Sequence, residues 1–264
     1  MSPSRGNSDP YAELADLYDS ETGNRSIRAF YREWRTFLSL AIREYGIKVR
    51  VIVDLACGTG NTTVPWTRRR GWTVIGVDRS EAMLREARKK SRPVLWYHQD
   101  LRKLDLKERA DVVTCHFDAL NHILVPQDLQ QVFLNVARIL KEGGLFQFDL
   151  NTEHWFRWLS VHEKLYHLAA NYFMAFNEYD PKRRIATFHQ RWFVKRRRLY
   201  EMREIKVQER TYTTEEIHRM LKKAKLRPLK LEVQRKLGGK AIRILYLAGK
   251  PKSAEFEAID PGDR

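Results

Sequence analysis

Val53-Asp54-Leu55-Ala56-Cys57-Gly58-Thr59-Gly60 (VDLACGTG) runs straight from an apolar stretch into a glycine turn. From Val49 to Leu55 the chain is almost continuously β-branched and aliphatic, the pattern of a strand buried on both faces of a parallel sheet. Open α/β sheets bind ligands beyond the carboxyl ends of such strands. Gly58 and Gly60 permit a tight turn and let a ligand approach the backbone closely. A dinucleotide-binding strand also ends in GxG, but two features separate the cases. The third glycine of a GxGxxG would fall at Thr63 and is missing. Asp54 lies four residues ahead of Gly58, where a carboxylate can pair with an ammonium group, whereas a pyrophosphate calls for donors and a positive dipole.

Outward from this stretch the chain alternates. Thr73–Val77, Val94–His98, Asp111–His116 and Leu145–Leu150 repeat the buried-strand pattern. Ser80 caps a helix over Glu81–Lys90, and Leu129, Val132, Phe133, Val136, Ala137 and Leu140 stripe another. Upstream, Phe30, Trp34, Phe37, Leu38, Ala41, Ile42 and Tyr45 share one face of a helix over Arg25–Tyr45. Tyr11, Leu14, Ala15 and Tyr18 suggest a shorter helix before it. Strands alternating with helices of this length imply βαβ units and a doubly wound sheet.

The rhythm breaks after Asp149. Glu153–His167 reads as an aromatic-rich helix, and Ala169–Glu178, Ile185–Arg196 and Glu201–Tyr212 as antiparallel strands. Thr213-Thr214-Glu215-Glu216 is a capping box opening a helix to about Ala224. Leu229–Arg235 and Ala241–Ala248 close the sheet. The expected fold is therefore α/β: a doubly wound, seven-stranded, mostly parallel sheet with a small antiparallel insertion. Residues 1–150 would form a binding core with an N-terminal helical lid, 151–212 an aromatic and basic insertion on the acceptor side, 213–250 the closing helix and strands, and 251–264 a loose tail.

Two more acids stand at strand ends. Asp78 lies twenty residues after Gly58, where a carboxylate can accept both hydroxyls of a ribose. Asp100 follows the third strand and can accept from an adenine amino group. Any one of them could simply cap the next turn; three at successive strand ends point to a nucleoside carrying an ammonium group.

Val53–Gly60, Val74–Asp78 with Ser80-Glu81-Ala82-Met83-Leu84, Gln99-Asp100-Leu101, Asp111–Thr114 and Leu140-Lys141-Glu142-Gly143-Gly144 resemble the successive motifs of class I (Rossmann-like) S-adenosylmethionine-dependent methyltransferases of the small single-domain branch. The resemblance is close over Tyr11–Leu150 and loose beyond. It implies S-adenosylmethionine as cofactor. Asp54 and the backbone of Ala56, Cys57, Gly58 and Gly60 would hold its methionyl end. Asp78, with Arg79 beside it, would hold the ribose; Met83 would pack near the adenine, and Asp100 with the Leu101 amide would read its edge. Tyr11 and Tyr18 resemble lid tyrosines of that branch, with plain helix packing as the alternative.

Phe117-Asp118-Ala119-Leu120-Asn121-His122 follows the fourth strand, where this family contacts both cofactor and acceptor. Most of the rate of a direct displacement can come from alignment. A base is needed only for a protonated nucleophile, and His122, Asp118, Tyr18 and His116 are candidates, with His154 more distant. The loop distantly resembles that of glycine-type N-methyltransferases, which implies a small amine. Trp155, Phe156, Trp158, Tyr166, Tyr172, Phe173 and Phe176 would roof the acceptor pocket or pack the insertion. No metal site is expected.

Charge complicates the choice of acceptor. The chain of 264 residues carries a net charge of +16. From Lys182 to Lys236 there are nineteen Lys and Arg against six Glu, a net of +13. With Trp192 and Tyr200 flanking Lys195–Arg198, this stripe suits RNA, by phosphate neutralisation and base stacking, or an anionic small molecule. Against one branch of nucleic-acid enzymes, Cys115-His116-Phe117-Asp118 stands where Asn/Asp-Pro-Pro-aromatic would. The readings are a small-molecule methyltransferase, an RNA methyltransferase, and a non-catalytic cofactor binder. Two cysteines, no apolar run of ~18–20 residues and no apolar leader lead us to expect a cytoplasmic protein without a membrane span.

Overall fold

The computed structural model describes residues 9–22, 25–162, 164–168 and 171–252. Two short pieces of helix, the second α1 (Tyr18–Thr22), precede α2 (Arg25–Glu44). Then follow β1 (Val51–Leu55), β2 (Thr73–Asp78), α3 (Glu81–Lys90), β3 (Leu95–His98), β4 (Ala110–Cys115), α4 (Pro126–Ile139) and β5 (Leu140–Asn151). The insertion comprises α5 (Glu153–Leu159), β6 (Lys164–Leu168), β7 (Asn171–Asp180), β8 (Ile185–Arg196) and β9 (Leu199–Arg210). The chain closes with α6 (Thr214–Lys223), β10 (Arg227–Leu237) and β11 (Lys240–Gly249).

One sheet has seven strands in the order β10-β11-β5-β4-β1-β2-β3, and a second has four in the order β6-β7-β8-β9. β1 to β5 run parallel, and β11 and β10 are added antiparallel. The doubly wound, mostly parallel sheet with an antiparallel insertion is the expected fold. Alternation along β1 shows why its run is continuously apolar: Val53 and Leu55 pack with Phe133 and Val136 of α4, and Ile52 packs with Leu38 of α2. The turn after β1 is fixed by sterics. At Gly60, with φ +79°, a Cβ would lie 2.6 Å from the Trp96 ring.

The helix expected over Glu153–His167 is shorter. α5 ends at Leu159, and Lys164–Leu168 pairs antiparallel with β7. A short apolar run does not separate helix from strand by its period alone, and the free edge of β7 settles the matter. Leu140 likewise opens β5 instead of closing α4. The capping box forms as expected, with the Thr213 hydroxyl accepting from the Glu216 amide and the Glu216 carboxylate from the Thr213 amide.

The inner face of the second sheet (Phe173, Ala175, Trp192, Val194, Ile205, Val207) packs on Leu14. This contact lays the segment carrying Tyr11 and Tyr18 across the carboxyl ends of the parallel strands. Residues 1–8 and 253–264, and the side chain of Tyr166, lie outside the described residues. Among the described residues no helix is long and apolar enough to cross a membrane.

Candidate active site

The strand-end acids do three different things. Asp54 is 1% exposed and does not line a cavity. Its oxygens accept from Thr114 at 2.7 Å, Thr62 at 2.8 Å and Thr63 at 2.5 Å, so it fastens the loop to β4. Burial raises its pKa, against the pull of the threonines. Asp78 accepts from the Gly58 amide at 2.7 Å and the Ser80 amide at 2.8 Å. Each oxygen retains acceptor capacity toward the cavity, and burial again raises its pKa. Asp100 forms an ion pair with Arg102 at 2.5 Å, and that hydrogen bond holds its pKa down.

Ala56, Gly58, Asp78, Arg79, Met83, Asp100, Leu101 and Phe117, with Tyr11 and Tyr18, line one cavity of about 130 Å³. The Asp78 and Asp100 carboxylates together with the apolar Met83 and Leu101 suit a nucleoside bearing a cationic group. Cys57 and Gly60 stand outside the lining: the Cys57 thiol is buried and pushed well above its usual range by that burial, and Gly60 packs beneath Trp96. Cys115 is also a buried free thiol.

A second cavity, of about 220 Å³, adjoins the first and shares Tyr11, Tyr18, Phe117 and His122 with it. Its polar wall was not legible in the sequence. Phe117 and Asp118 adopt φ of 64° and 52°, and their amides donate to the fully buried Asp149 at 2.6 and 3.1 Å. Arg243 of β11 bridges Asp149 and Asp118, at 2.8 Å from the latter. Burial pushes Asp149 up to about 6, while Arg243, despite burial, is held above its ordinary value by the two acids. With a guanidinium and two amides on its oxygens, Asp149 is ionised at neutral pH.

Glu209 enters from β9, with Oε1 4.0 Å from His122 Nε2 and Oε2 buried without a hydrogen-bond partner. Burial, then Asp118, pushes its pKa well up. His122 Nε2 lies 3.2 Å from the Tyr11 hydroxyl, and burial lowers the His122 pKa, keeping the imidazole neutral at pH 7. Asp118, His122 and Glu209 bring ligand atoms within 4.8 Å of one another. One Asp118 oxygen is taken by Arg243.

Other expected site residues serve packing. His116 stacks on Trp34 at 4.9 Å, burial lowers its pKa to about 3, and neither ring nitrogen has a hydrogen-bond partner among the described residues. It lines the cofactor cavity, yet a group that resists protonation this strongly is no general base. His154 hydrogen-bonds the Leu237 carbonyl at 3.0 Å. Among the described residues of the aromatic insertion, Trp155 lines the second cavity, joined there by Phe188. Phe156 packs on Tyr179 and Phe188, and Phe173 stacks on Trp192. Trp192 is 1% exposed and therefore no platform for bases.

A parallel sheet with a nucleoside cavity at the tips of β1, β2 and β3 and a second chamber beyond β4 defines the class I S-adenosylmethionine-dependent methyltransferase architecture. Residues 52–144 match the family model described as a methyltransferase domain. The chain is 32% identical over 149 residues to a protein named as a methyltransferase in Geobacillus sp. (strain WCH70), covering 54% of this chain and 58% of that one. It is 30% identical over 132 residues to the dTDP-3-amino-3,6-dideoxy-alpha-D-glucopyranose N,N-dimethyltransferase of Streptomyces fradiae, covering 50% and 51%. The crystal structure of an S-adenosylmethionine-dependent methyltransferase from Clostridium acetobutylicum superposes with a TM-score of 0.79 at 28% identity, covering 92% of this chain and 99% of that one. The chain spans between about a third and three fifths of the length of the curated relatives it matches. It carries a class I S-adenosylmethionine-dependent methyltransferase domain, and S-adenosylmethionine is the cofactor of such a domain.

Proposed function

We propose that the protein transfers a methyl group from S-adenosylmethionine to the nitrogen of a small amine held in the second cavity. The observation that carries this is the seat formed by Asp118, His122 and Glu209 in a chamber of about 220 Å³ that shares four residues with the cofactor cavity. When bound, the cofactor supplies an electrophilic methyl group on a sulfonium. Asp78 would hold its ribose, the backbone of Ala56 and Gly58 its methionyl end, and Met83 and Leu101 its adenine.

Glu209, Asp118 and the neutral His122 then divide the work on the acceptor. The Asp118 carboxylate attracts the ammonium form into the chamber, and the Glu209 carboxyl, pushed toward its neutral form by burial, accepts a hydrogen bond from it. His122 Nε2, between the Tyr11 hydroxyl and Glu209, is placed to take the proton that must leave before nitrogen can attack. A chamber of about 220 Å³ suits a metabolite better than a polynucleotide. The S. fradiae relative, named for an amino-sugar nucleotide, supports an amine. The stripe over residues 182–236 does not favour RNA in this chamber: Arg184, Arg191, Arg196, Arg203, Lys230 and Arg235 are each ion-paired to a carboxylate.

The test offers methyl-labelled cofactor and purified protein a metabolite extract, a set of amino-sugar nucleotides and total RNA in parallel. Label in a small molecule that survives nuclease and carries an N-methyl group supports the proposal. Label confined to RNA overturns it, as does methylation of oxygen alone.

A further inference from the structure

Helix α2 carries Arg28, Arg32, Arg35 and Arg43. At 3.6 residues per turn these four, with Ser39 among them, fall within about 80° of its circumference, a row about 22 Å long. Arg68 and Arg69, from the turn after the nucleotide loop, face this row across a groove of about 650 Å³ lined by Arg32, Arg35, Arg43, Arg68 and Arg69. A smaller hollow at Arg28, Arg32 and Arg35 adjoins it.

What marks this groove is the absence of carboxylates. Among the described residues none lines it, and none pairs with Arg28, Arg32, Arg35, Arg43 or Arg68. The acids of α2 point elsewhere: Glu33 is bound to Arg235 at 3.1 Å and Glu44 to Lys230 at 2.5 Å, both on β10. Soluble surfaces normally interleave the two signs. Here like charges converge; Arg35 is half-buried and its pKa is depressed, by burial first and then by Arg68 and Arg32. Arg69 sits 5.9 Å over the Trp72 ring, and Trp72 stacks on Trp66 in the groove wall.

We propose that this arginine groove binds the phosphate backbone of a nucleic acid, independently of base sequence and apart from the methyl-transfer chambers. Arginines, with no lysine, suit phosphate because the planar guanidinium donates in bidentate fashion. A row of about 22 Å matches about six phosphates of one duplex strand at 3.4 Å each. A concave wall whose one exposed large apolar residue is Leu40 fits a rod-like polyanion better than a lipid surface. The groove shares no lining residue with either chamber. Six of the nineteen cations in the stripe over residues 182–236 are ion-paired to carboxylates, whereas, among the described residues, none lining this groove is.

The experiment is fluorescence anisotropy of a labelled RNA oligonucleotide over a salt series, with wild type, Arg32→Gln/Arg35→Gln/Arg68→Gln and Arg196→Gln/Arg198→Gln. The groove variant should lose at least tenfold in affinity, and its plot of log K against log salt should flatten by about 2 units, as about three phosphate contacts are lost. The stripe variant should change little, and methylation of a small amine should be unchanged in both. Because Arg35 is half-buried, the double variant Arg32→Gln/Arg68→Gln, both positions exposed, repeats the measurement without it, and thermal melts confirm folding. Undiminished RNA affinity in the groove variants overturns the proposal. So does an equal loss in the stripe variant, or binding to phosphatidylserine-containing vesicles but not to RNA.

Discussion

At the cofactor end, polar contacts join residues close to one another along the chain or on neighbouring strand tips: Asp78 with Gly58 and Ser80, Asp100 with Arg102, Asp54 with Thr62 and Thr63. In the acceptor chamber, Tyr11 meets His122 across 111 residues and Arg243 meets Asp118 across 125. The first region is a set of separable local devices. The second is one network of buried and half-buried ionisable groups, Asp118, Asp149, Glu209 and Arg243, in which each member's state depends on the others. Substitutions should therefore act singly at the cofactor end and collectively in the chamber.

The largest expected effect tests that coupling. Arg243→Met would leave Asp118 and Asp149 without their counter-charge. Stranding a buried charge costs about 3–5 kcal/mol, to be read from urea unfolding. Adding Asp149→Asn should recover part of the loss, because the stranded charge is then gone. A cost below about 1 kcal/mol, or strictly additive costs in the double variant, would reduce the network to independent contacts.

Glu209→Gln is expected to act next most strongly. It should lower kcat/KM for an amine about ten- to a hundredfold, as the loss of a hydrogen bond to a charged group of about 1.5–3 kcal/mol implies, while cofactor affinity by calorimetry stays as in wild type. Its effect on stability carries a sign. The folded pKa of Glu209 lies above its ordinary value of 4.5. Its contribution is therefore whole below about 4.5 and is lost as pH rises through the folded value. Relative to wild type the glutamine variant should gain stability between pH 5 and pH 8. A difference in unfolding midpoint that is flat over this range would show that Glu209 is not held protonated.

Asp78→Ala should confine its damage to the cofactor. Losing charge-assisted hydrogen bonds weakens binding by about 1–3 kcal/mol, and saturating cofactor should restore most of the turnover. Unchanged affinity would remove Asp78 from the site. Restored affinity without turnover would mean that the two regions are not separable.

The same contrast explains what could be read from the chain. Val53–Gly60, Asp78 and Asp100 were legible because the parallel strands place local sequence at one edge. Even there the sequence gives position but not engagement: nothing at Asp54 announces that three threonine hydroxyls occupy it, and Arg102 beside Asp100 reads as an ordinary surface cation. In the chamber, Phe117–His122 was visible as the loop after a strand. Glu209 and Arg243 were not, because each is an inward-facing polar residue on a strand whose register is set by pairing, Glu209 opposite Ala186 of β8 and Arg243 opposite Asn151 of β5. Glu209 looked like one of six acids diluting a basic stripe. Trp192 looked like a base-stacking platform and is core, since nothing local tells which face of β8 another sheet and Leu14 will cover.

Tyr11 belongs to both regions, and its substitution is the smallest and most discriminating of the four. Its ring lines both cavities, and its hydroxyl lies 3.2 Å from His122 Nε2. Tyr11→Phe keeps the ring and deletes that contact, so cofactor affinity should hold. The loss of one hydrogen bond, about 0.5–1.5 kcal/mol, should appear in kcat/KM for the amine as roughly a two- to tenfold drop. If the hydroxyl helps tune His122, the pH at which activity rises should also move. If it serves packing alone, the profile keeps its shape and only its height changes. A fall in cofactor affinity instead would make Tyr11 a true cofactor ligand and erase the line drawn between the two regions.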